Sequence, residues 1–261
     1  MKTIEFWFVV LALFNLFFFT LGMMFLIPKN TLKRPWGEYQ RIIRYHSVYI
    51  FIIILFVCIH LIEVNVIDSY VTQFIGYDFT PAIQSVEDGI VYWFSQHWTL
   101  PLLVFFVFIY IVLYPFTLWF SLLYFLIADE KKAMKTFAYA FMLIYTITLP
   151  FYLFVPITNV YVHYGLQSAL NVIIPDVEQF FYTTTTNNNC FPSLHVALAL
   201  LIAKTVSLTQ NKRFMYFAYF SAICVICSVI YLAIHWITDV IGGILLAFGV
   251  FYLVKRFVKE T

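Results

Sequence analysis

The sequence predicts an all-α, polytopic membrane bundle of about seven transmembrane helices, with short interfacial helices in its outer loops. Three observations predict it. First, 63% of the 261 residues are hydrophobic and only 11% are charged, against about a quarter charged in an ordinary soluble domain. So few charges cannot cover a water-facing surface, which excludes a soluble enzyme, a disordered chain and a disulfide scaffold. Second, the apolar residues gather in long runs. Third, the few cations alternate from gap to gap between those runs.

A membrane helix needs roughly 20 mostly apolar residues, and seven runs approach this. The first is Ile4 to Ile27. It reads as a retained span rather than a signal peptide, because its apolar stretch is too long and no small-residue cleavage site follows. The second is Tyr45 to Val66, weakened near its end by His60 and Glu63. The third, Thr99 to Ala128, is overlong and must tilt or bend, with Pro115 as the natural kink. The fourth is Ala133 to Val155, the fifth Pro192 to Leu208, the sixth Phe214 to Ile234 and the seventh Ile237 to Val254. No internal repeat is visible. The chain therefore reads as one membrane domain, 1–261, with a catalytic core at 133–257 and additional spans at 1–132.

The cations define the sides. Lys29, Lys33, Arg34, Arg41 and Arg44 lie between spans one and two, and Lys131, Lys132 and Lys135 between three and four. Lys204, Lys212 and Arg213 surround the turn from five to six; Lys255, Arg256 and Lys259 form the tail. The loops 68–98 and 159–190 contain no Lys or Arg, and only Lys2 is left over. Positive charge collects on the cytoplasmic side, so the N-terminus is expected outside (or luminal) and the C-terminus inside. In the outer loops, Thr80 to Trp98 has the pattern of an interfacial amphipathic helix anchored by Trp93 and Trp98. Leu166 to Phe181 suits another, and Thr183 to Asn189 reads as a polar hinge.

Most single features are bland. Cys224 and Cys227 form a CxxC, but it sits inside a span without a second pair, so packing explains it. His46 is expected at the cytoplasmic headgroup level, and His60, His97 and His163 as structural or interfacial residues of the outer half. Two pieces rise above this. Phe191-Pro192-Ser193-Leu194-His195 opens span five on the outer side. Pro and Ser suit a helix start, whose unpaired N–H groups and dipole favour a phosphate. His235-Trp236-Ile237-Thr238-Asp239, followed by Gly242-Gly243, opens span seven on the same side. His235 and Asp239 share a helix face at i, i+4. A carboxylate on the ring N–H fixes the tautomer and stabilises the positive ring, which makes histidine a nucleophile. The two glycines allow close helix approach.

At these residues the chain resembles the type-2 phosphatidic-acid phosphatase superfamily, whose members share a helical bundle with PSxH and HxxxD motifs. Here they read Pro192-Ser193-Leu194-His195 and His235 to Asp239, with one hairpin between. Phosphatase members carry further cations before and between these motifs. Leu149 to Pro156 and Ser228-Val229 hold none. In this the chain is similar to the inositol phosphorylceramide synthase and sphingomyelin synthase branch, and Tyr231-Leu232-Ala233-Ile234-His235 fits that branch as well. The resemblance implies a lipid phosphotransferase working through a phosphohistidine, with hydrolysis of a lipid phosphate or prenyl diphosphate at the same site as the alternative. His235 would attack phosphorus, Asp239 would orient it, and His195 would act as acid and then base. Ser193, Asn189 and Tyr231 are the substrate-binding candidates. No metal, cofactor or nucleic-acid partner is expected; the partners are membrane lipids and the bilayer. Charge argues independently for a diester. A monoester carries nearly two negative charges and a diester one, and helix N-termini supply only about half a charge each. A transporter with a histidine proton path ranks last, because the polar residues sit at the outer ends of the spans.

Overall fold

The computed structural model describes residues 2–258, all-helical and without strands. Lys259 lies outside the described residues, as do the side chains of Lys2 and Ile4. Fourteen α-helices follow in order. α1 is Lys2–Phe25, and α2 is Trp36–Ile62, continued through a π turn, Glu63–Ile67, into α3, Asp68–Ile75. Two short helices follow, α4 (Thr80–Glu87) and α5 (Ile90–Ser95). α6 (Leu100–Phe108) passes through a second π turn, Ile109–Leu113, into α7 (Tyr114–Ile127), and α8 is Lys131–Phe154. α9 (Val160–His163), α10 (Ala169–Ile173) and α11 (Val177–Phe181) form a loop layer. α12 (Leu194–Val206), α13 (Lys212–Tyr231) and α14 (Ile237–Phe257) complete the chain.

Five helices among the described residues are long and apolar enough to cross a membrane: 36–75, 100–127, 131–154, 212–231 and 237–257. They cover five of the seven expected runs. The other two are shorter apolar helices, Val9–Phe25 and Leu194–Val206. α12 is short because it is the axis of the bundle. Eleven of its thirteen residues are buried, with α7, α8, α13 and α14 packed around it. Lipid offers no hydrophobic drive for this association, so close packing over small residues has to supply it. Ala197, Ala199 and Ala203 on α12 face this surround fully buried, as do Ala218 and Ala222 on α13 and Ala247 on α14.

The second run is longer than expected because its polar end is bound rather than a terminator. Asn65 Nδ2 donates to Thr183 O (3.1 Å) and Asn188 Nδ2 to Thr72 Oγ1 (2.8 Å), so the helix continues to Ile75. The bend expected at Pro115 takes the form of the π turn just before it, an extra residue that accommodates the missing Pro N–H. Two expectations for the outer loops are corrected. The helix over Thr80 to Trp98 is broken at Asp88 and Gly89, both with positive φ (46° and 75°). Leu166 to Phe181 likewise breaks near Asp176, with φ 61°.

The connections segregate by end. At one end Arg34 Nη1 donates to Ile127 O (3.1 Å), Asn211 Nδ2 to Leu26 O (2.6 Å), and His46 pairs with Asp129 (3.1 Å). These residues border the basic gaps. His46 is fully buried among its neighbours and paired with Asp129, beside the basic gaps. At the other end Trp236 Nε1 donates to Thr158 O (2.8 Å) and Trp98 Nε1 to Tyr231 O (2.7 Å). Trp98 is thus a brace between loop and bundle and not a free interfacial anchor, whereas Trp93 is 55% exposed.

Candidate active site

The PSxH and HxxxD pieces open α12 and α14 side by side. Ser193 Oγ accepts from Val196 N (3.4 Å) and caps α12. Ser193 N donates to Asp239 O (3.0 Å), which stitches one helix start to the other. The glycines allow this approach. A Cβ on Gly243 would fall 2.6 Å from the Ser193 carbonyl oxygen, and one on Gly242 would fall 2.7 Å from the Phe191 ring.

Four side chains from three elements form one row. Asp239 Oδ2 accepts from Trp236 N (2.9 Å) and faces His235 Nδ1 (3.3 Å). His235 Nε2 faces His195 Nδ1 (3.4 Å), and His195 Nε2 meets the Tyr110 hydroxyl (2.9 Å). One proton assignment satisfies every link. His235 Nδ1–H donates to the carboxylate, His195 Nδ1–H donates to His235 Nε2, and Tyr110 O–H donates to His195 Nε2. In this arrangement the lone pair of His235 Nε2 is taken by the His195 N–H, and it is freed when that N–H turns to another acceptor. Asp239 and His235 are almost wholly buried, so the pair is held dry. Sequence reasoning missed Tyr110. Its signal was indirect: the π turn ahead of Pro115 turns Tyr110 and Tyr114 onto the His195 ring, at 4.8 and 5.3 Å between centroids.

The row stands at the polar end of a cavity of about 390 Å³. His195, His235, Asn189, Cys190 and His60 line that end. Ile53, Val57, Leu61, Leu118, Trp119 and Leu122 continue it as an apolar slot between α2 and α7. Leu61 and Trp119 are exposed on the bundle perimeter. No Lys or Arg lines the cavity. Its rim carries a saturated carboxylate: Glu178 accepts from Tyr161 (2.5 Å), Tyr182 (2.8 Å) and Asn171 Nδ2 (2.7 Å). The Tyr161 and Tyr182 hydroxyls also touch each other, so the two protons are shared among three contacts. Burial first, and then the neighbouring Glu178, push the Tyr161 hydroxyl well above its usual range, so it stays a donor.

Among the residues expected in the site, His195, His235 and Asp239 come together. Asn189 lines the same cavity, but its Nδ2 donates to Glu63 Oε1 (2.8 Å). Ser193 is fully buried as a cap. Tyr231 is not part of the cavity lining; its hydroxyl accepts from Thr99 N (3.1 Å) and its ring lies 4.8 Å from that of Phe106. His97 stacks on Trp93 (4.2 Å between centroids), and His163 bonds Gln84 (2.9 Å).

The start of α14 differs most from expectation. Its N–H groups are already taken by a carboxylate of the chain itself: Glu87 accepts from Ile237 N (3.0 Å) and Thr238 N (2.6 Å). The positive helix end attracts an anion, and the last residue of α4 supplies one. At the α12 start, by contrast, the N–H of His195 has no protein acceptor among the described residues. Glu87 acts on His235 and Asp239 through the helix it caps. Glu87→Gln keeps the size but loses the charge and sets an NH₂ against an N–H. The expected cost is about 1–2 kcal/mol of stability, by analogy with lost caps, together with slower turnover. Thermal unfolding and initial rates check this; a variant unchanged in both would mean that the cap does not position the site.

Cys190, His235 and Asp239 bring three donor atoms within 4.8 Å of one another, a possible metal-ligand set. In this structure two of those donors, His235 Nδ1 and Asp239 Oδ2, are engaged with each other. The Cys190 thiol is pushed well above its usual range, by burial first and then by Asp239 and Asp78. It therefore stays protonated, and a thiol is a poor ligand compared with a thiolate.

Fold and site together define a helical bundle with membrane-spanning helices and a His–His–Asp row beside a cavity with a largely apolar lining. Residues 84–253 match the family model described as the PAP2 superfamily, and the chain belongs to that superfamily. Membership implies phosphatase or phosphotransferase activity on lipid substrates. No curated protein and no solved structure matches the chain. The match begins ahead of α5 and takes in α6 and α7, so the element that carries Tyr110 lies within it.

Proposed function

We propose that the protein is a phosphotransferase that moves a phosphoryl headgroup from a lipid phosphodiester to a lipid alcohol through a phosphohistidine. The observation that carries this reading is the cation-free cavity joining the histidine row to the apolar slot. His235 Nε2 attacks phosphorus, forming a P–N bond as the P–O bond to the leaving alcohol breaks. For this step His195 carries a proton on each ring nitrogen, with Nε2–H turned to the Tyr110 oxygen; it gives its Nδ1 proton to that leaving oxygen and is left neutral. Asp239 stabilises the imidazolium-like ring. In the second half, the acceptor hydroxyl gives its proton to His195 and its oxygen attacks phosphorus, breaking the P–N bond. The His195 N–H, at the start of the helix that Ser193 caps, holds a phosphoryl oxygen. Tyr110, hydrogen-bonded to His195 Nε2, keeps its Nδ1 turned toward the reacting bond.

The slot accounts for the lipid. From Tyr110 to Leu122 the helix rises roughly 18 Å, much of one hydrocarbon leaflet. A chain entering past Leu61 and Trp119 would leave its headgroup at the histidines. The charge inventory favours a monoanion, since no Lys or Arg is present to balance a dianion or a pyrophosphate. In this reading residues 133–257 form the catalytic core, residues 1–132 add further spans, and the site faces the extracytoplasmic or luminal side, opposite the basic gaps.

Purified protein offered a lipid phosphomonoester and a lipid phosphodiester, each with and without a lipid alcohol, tests the proposal. The expected result is an alcohol-dependent transfer product from the diester. Inorganic phosphate released from the monoester, with no transfer product, would establish the hydrolase instead.

A further inference from the structure

A second polar group adjoins the same cavity and takes no part in the row. His60 from α2 and Asn189 from the loop before α12 line the cavity, and Glu63, from the π turn after α2, is buried in contact with both. His60 and Glu63 lie outside the residues matched by the family model. Glu63 is 1% and Asn189 6% exposed. Asn189 Nδ2 donates to Glu63 Oε1 (2.8 Å). His60 Nε2 must donate to Thr184 O (3.0 Å), because a carbonyl only accepts. His60 Nδ1 then faces Glu63 Oε2 at 3.4 Å. Glu63 Oε2 and Asn189 Oδ1 are both buried without a hydrogen-bond partner.

Proton accounting shows what is missing. Three acceptor atoms of the group need donors: His60 Nδ1, Glu63 Oε2 and Asn189 Oδ1. A single proton shared between His60 and Glu63 can satisfy at most two of them, and Asn189 Oδ1 is still left over. Buried acceptors without donors are costly, and such residues persist where a ligand supplies the donor. The contrast with Glu178 is direct, since three protein donors saturate that carboxylate. The groups that answer bare acceptors of this kind are O–H and N–H donors.

We infer that His60, Glu63 and Asn189 form a hydroxyl-binding subsite, which receives a lipid alcohol or a polyol headgroup beside the histidine row. This deepens the transferase reading and rests on it only for where the reacting bond lies. It also gives Asn189 a different duty from holding phosphoryl oxygens, because its free atom is an acceptor that would repel them.

The test is equilibrium binding to the full chain in nanodiscs, with His235→Ala throughout so that no turnover interferes. One pair of probes is hexadecylglycerol and its di-O-methyl ether; the other is hexadecyl phosphoglycerol and hexadecyl methyl phosphate. The expected result is at least about tenfold tighter binding of the hydroxyl-bearing member in one pair, since a site built for a hydroxyl rejects the analogue lacking it. Preference in the first pair identifies the lipid alcohol as the source, and in the second the polyol headgroup. Glu63→Gln is expected to reduce the preference to below about threefold. If that variant does not fold, Asn189→Ser, which removes the Oδ1 acceptor, carries the same expectation. Equal binding within both pairs, or a preference that survives the substitutions, overturns the inference. Failure of the transfer assay with the hydroxyl preference intact would instead count against the transferase reading alone.

Discussion

Replacing His235 by alanine is expected to lower turnover by at least about a thousandfold, because it removes the atom that bonds to phosphorus. The fold should survive. The backbone of the turn is held independently, with His235 N donating to Val229 O (3.1 Å) and Trp236 N to Asp239 Oδ2 (2.9 Å). The substitution leaves Asp239 with fewer donors in a buried place, so some stability is lost as well. A labelled donor lipid separates these effects. The wild-type protein should acquire acid-labile label on histidine, and the variant should acquire none while eluting as a folded species. Turnover within about tenfold of wild type would place the nucleophile elsewhere and remove the basis of the mechanism.

Gly243→Ala should have the largest structural effect of any single-methyl addition at the site. The new Cβ would lie 2.6 Å from the Ser193 carbonyl oxygen and 3.1 Å from Val196 Cβ. The first of these is backbone and cannot rotate away, so α14 and α12 must part. Overpacking of this kind costs about 1–3 kcal/mol. The kinetic effect should be larger than that figure implies. Ser193 N–Asp239 O is the stitch between the two helix starts, and a 1 Å misplacement of reacting groups can cost about a hundredfold. The measurements are thermal unfolding in detergent and the rate of histidine labelling. Gly249→Ala is the control, because nothing lies within 4 Å of its added Cβ. Equal behaviour of the two variants would show that close approach at Gly243 does not matter.

Legibility in the sequence followed the range of the interactions concerned. His235 and Asp239 could be paired from sequence because four residues span about one helical turn, although His235 stands in the turn before α14, off the helix face expected, with Trp236 as the N-cap. Ser193 could be placed at a helix start because capping is local. The sidedness of the basic gaps needed only hydropathy and charge. Tyr231, by contrast, lies four residues before His235, yet its side chain turns to Thr99 and Phe106. Sequence proximity said nothing about its direction. Tyr110, Glu63 and Glu87 were overlooked because each reaches the site from more than eighty residues away in the chain, as its contacts with His195, Asn189 and Ile237 show.

By itself, then, the sequence determined a cation-poor helical membrane chain with two phosphate-chemistry motifs at helix starts on one side. Composition, spacing and charge order are properties of the chain that survive without coordinates. Only the tertiary structure decided what the helix starts do. It filled the start of α14 with Glu87 and left the His195 N–H at the start of α12 without a protein acceptor among the described residues. It made α12 a short buried axis and used π turns to aim Tyr110 and to place Glu63. The physical reason is that a dipole end or a buried acceptor specifies only the chemistry of its partner. Which residue answers it, the chain's own or a lipid's, depends on what packing brings within about 3 Å.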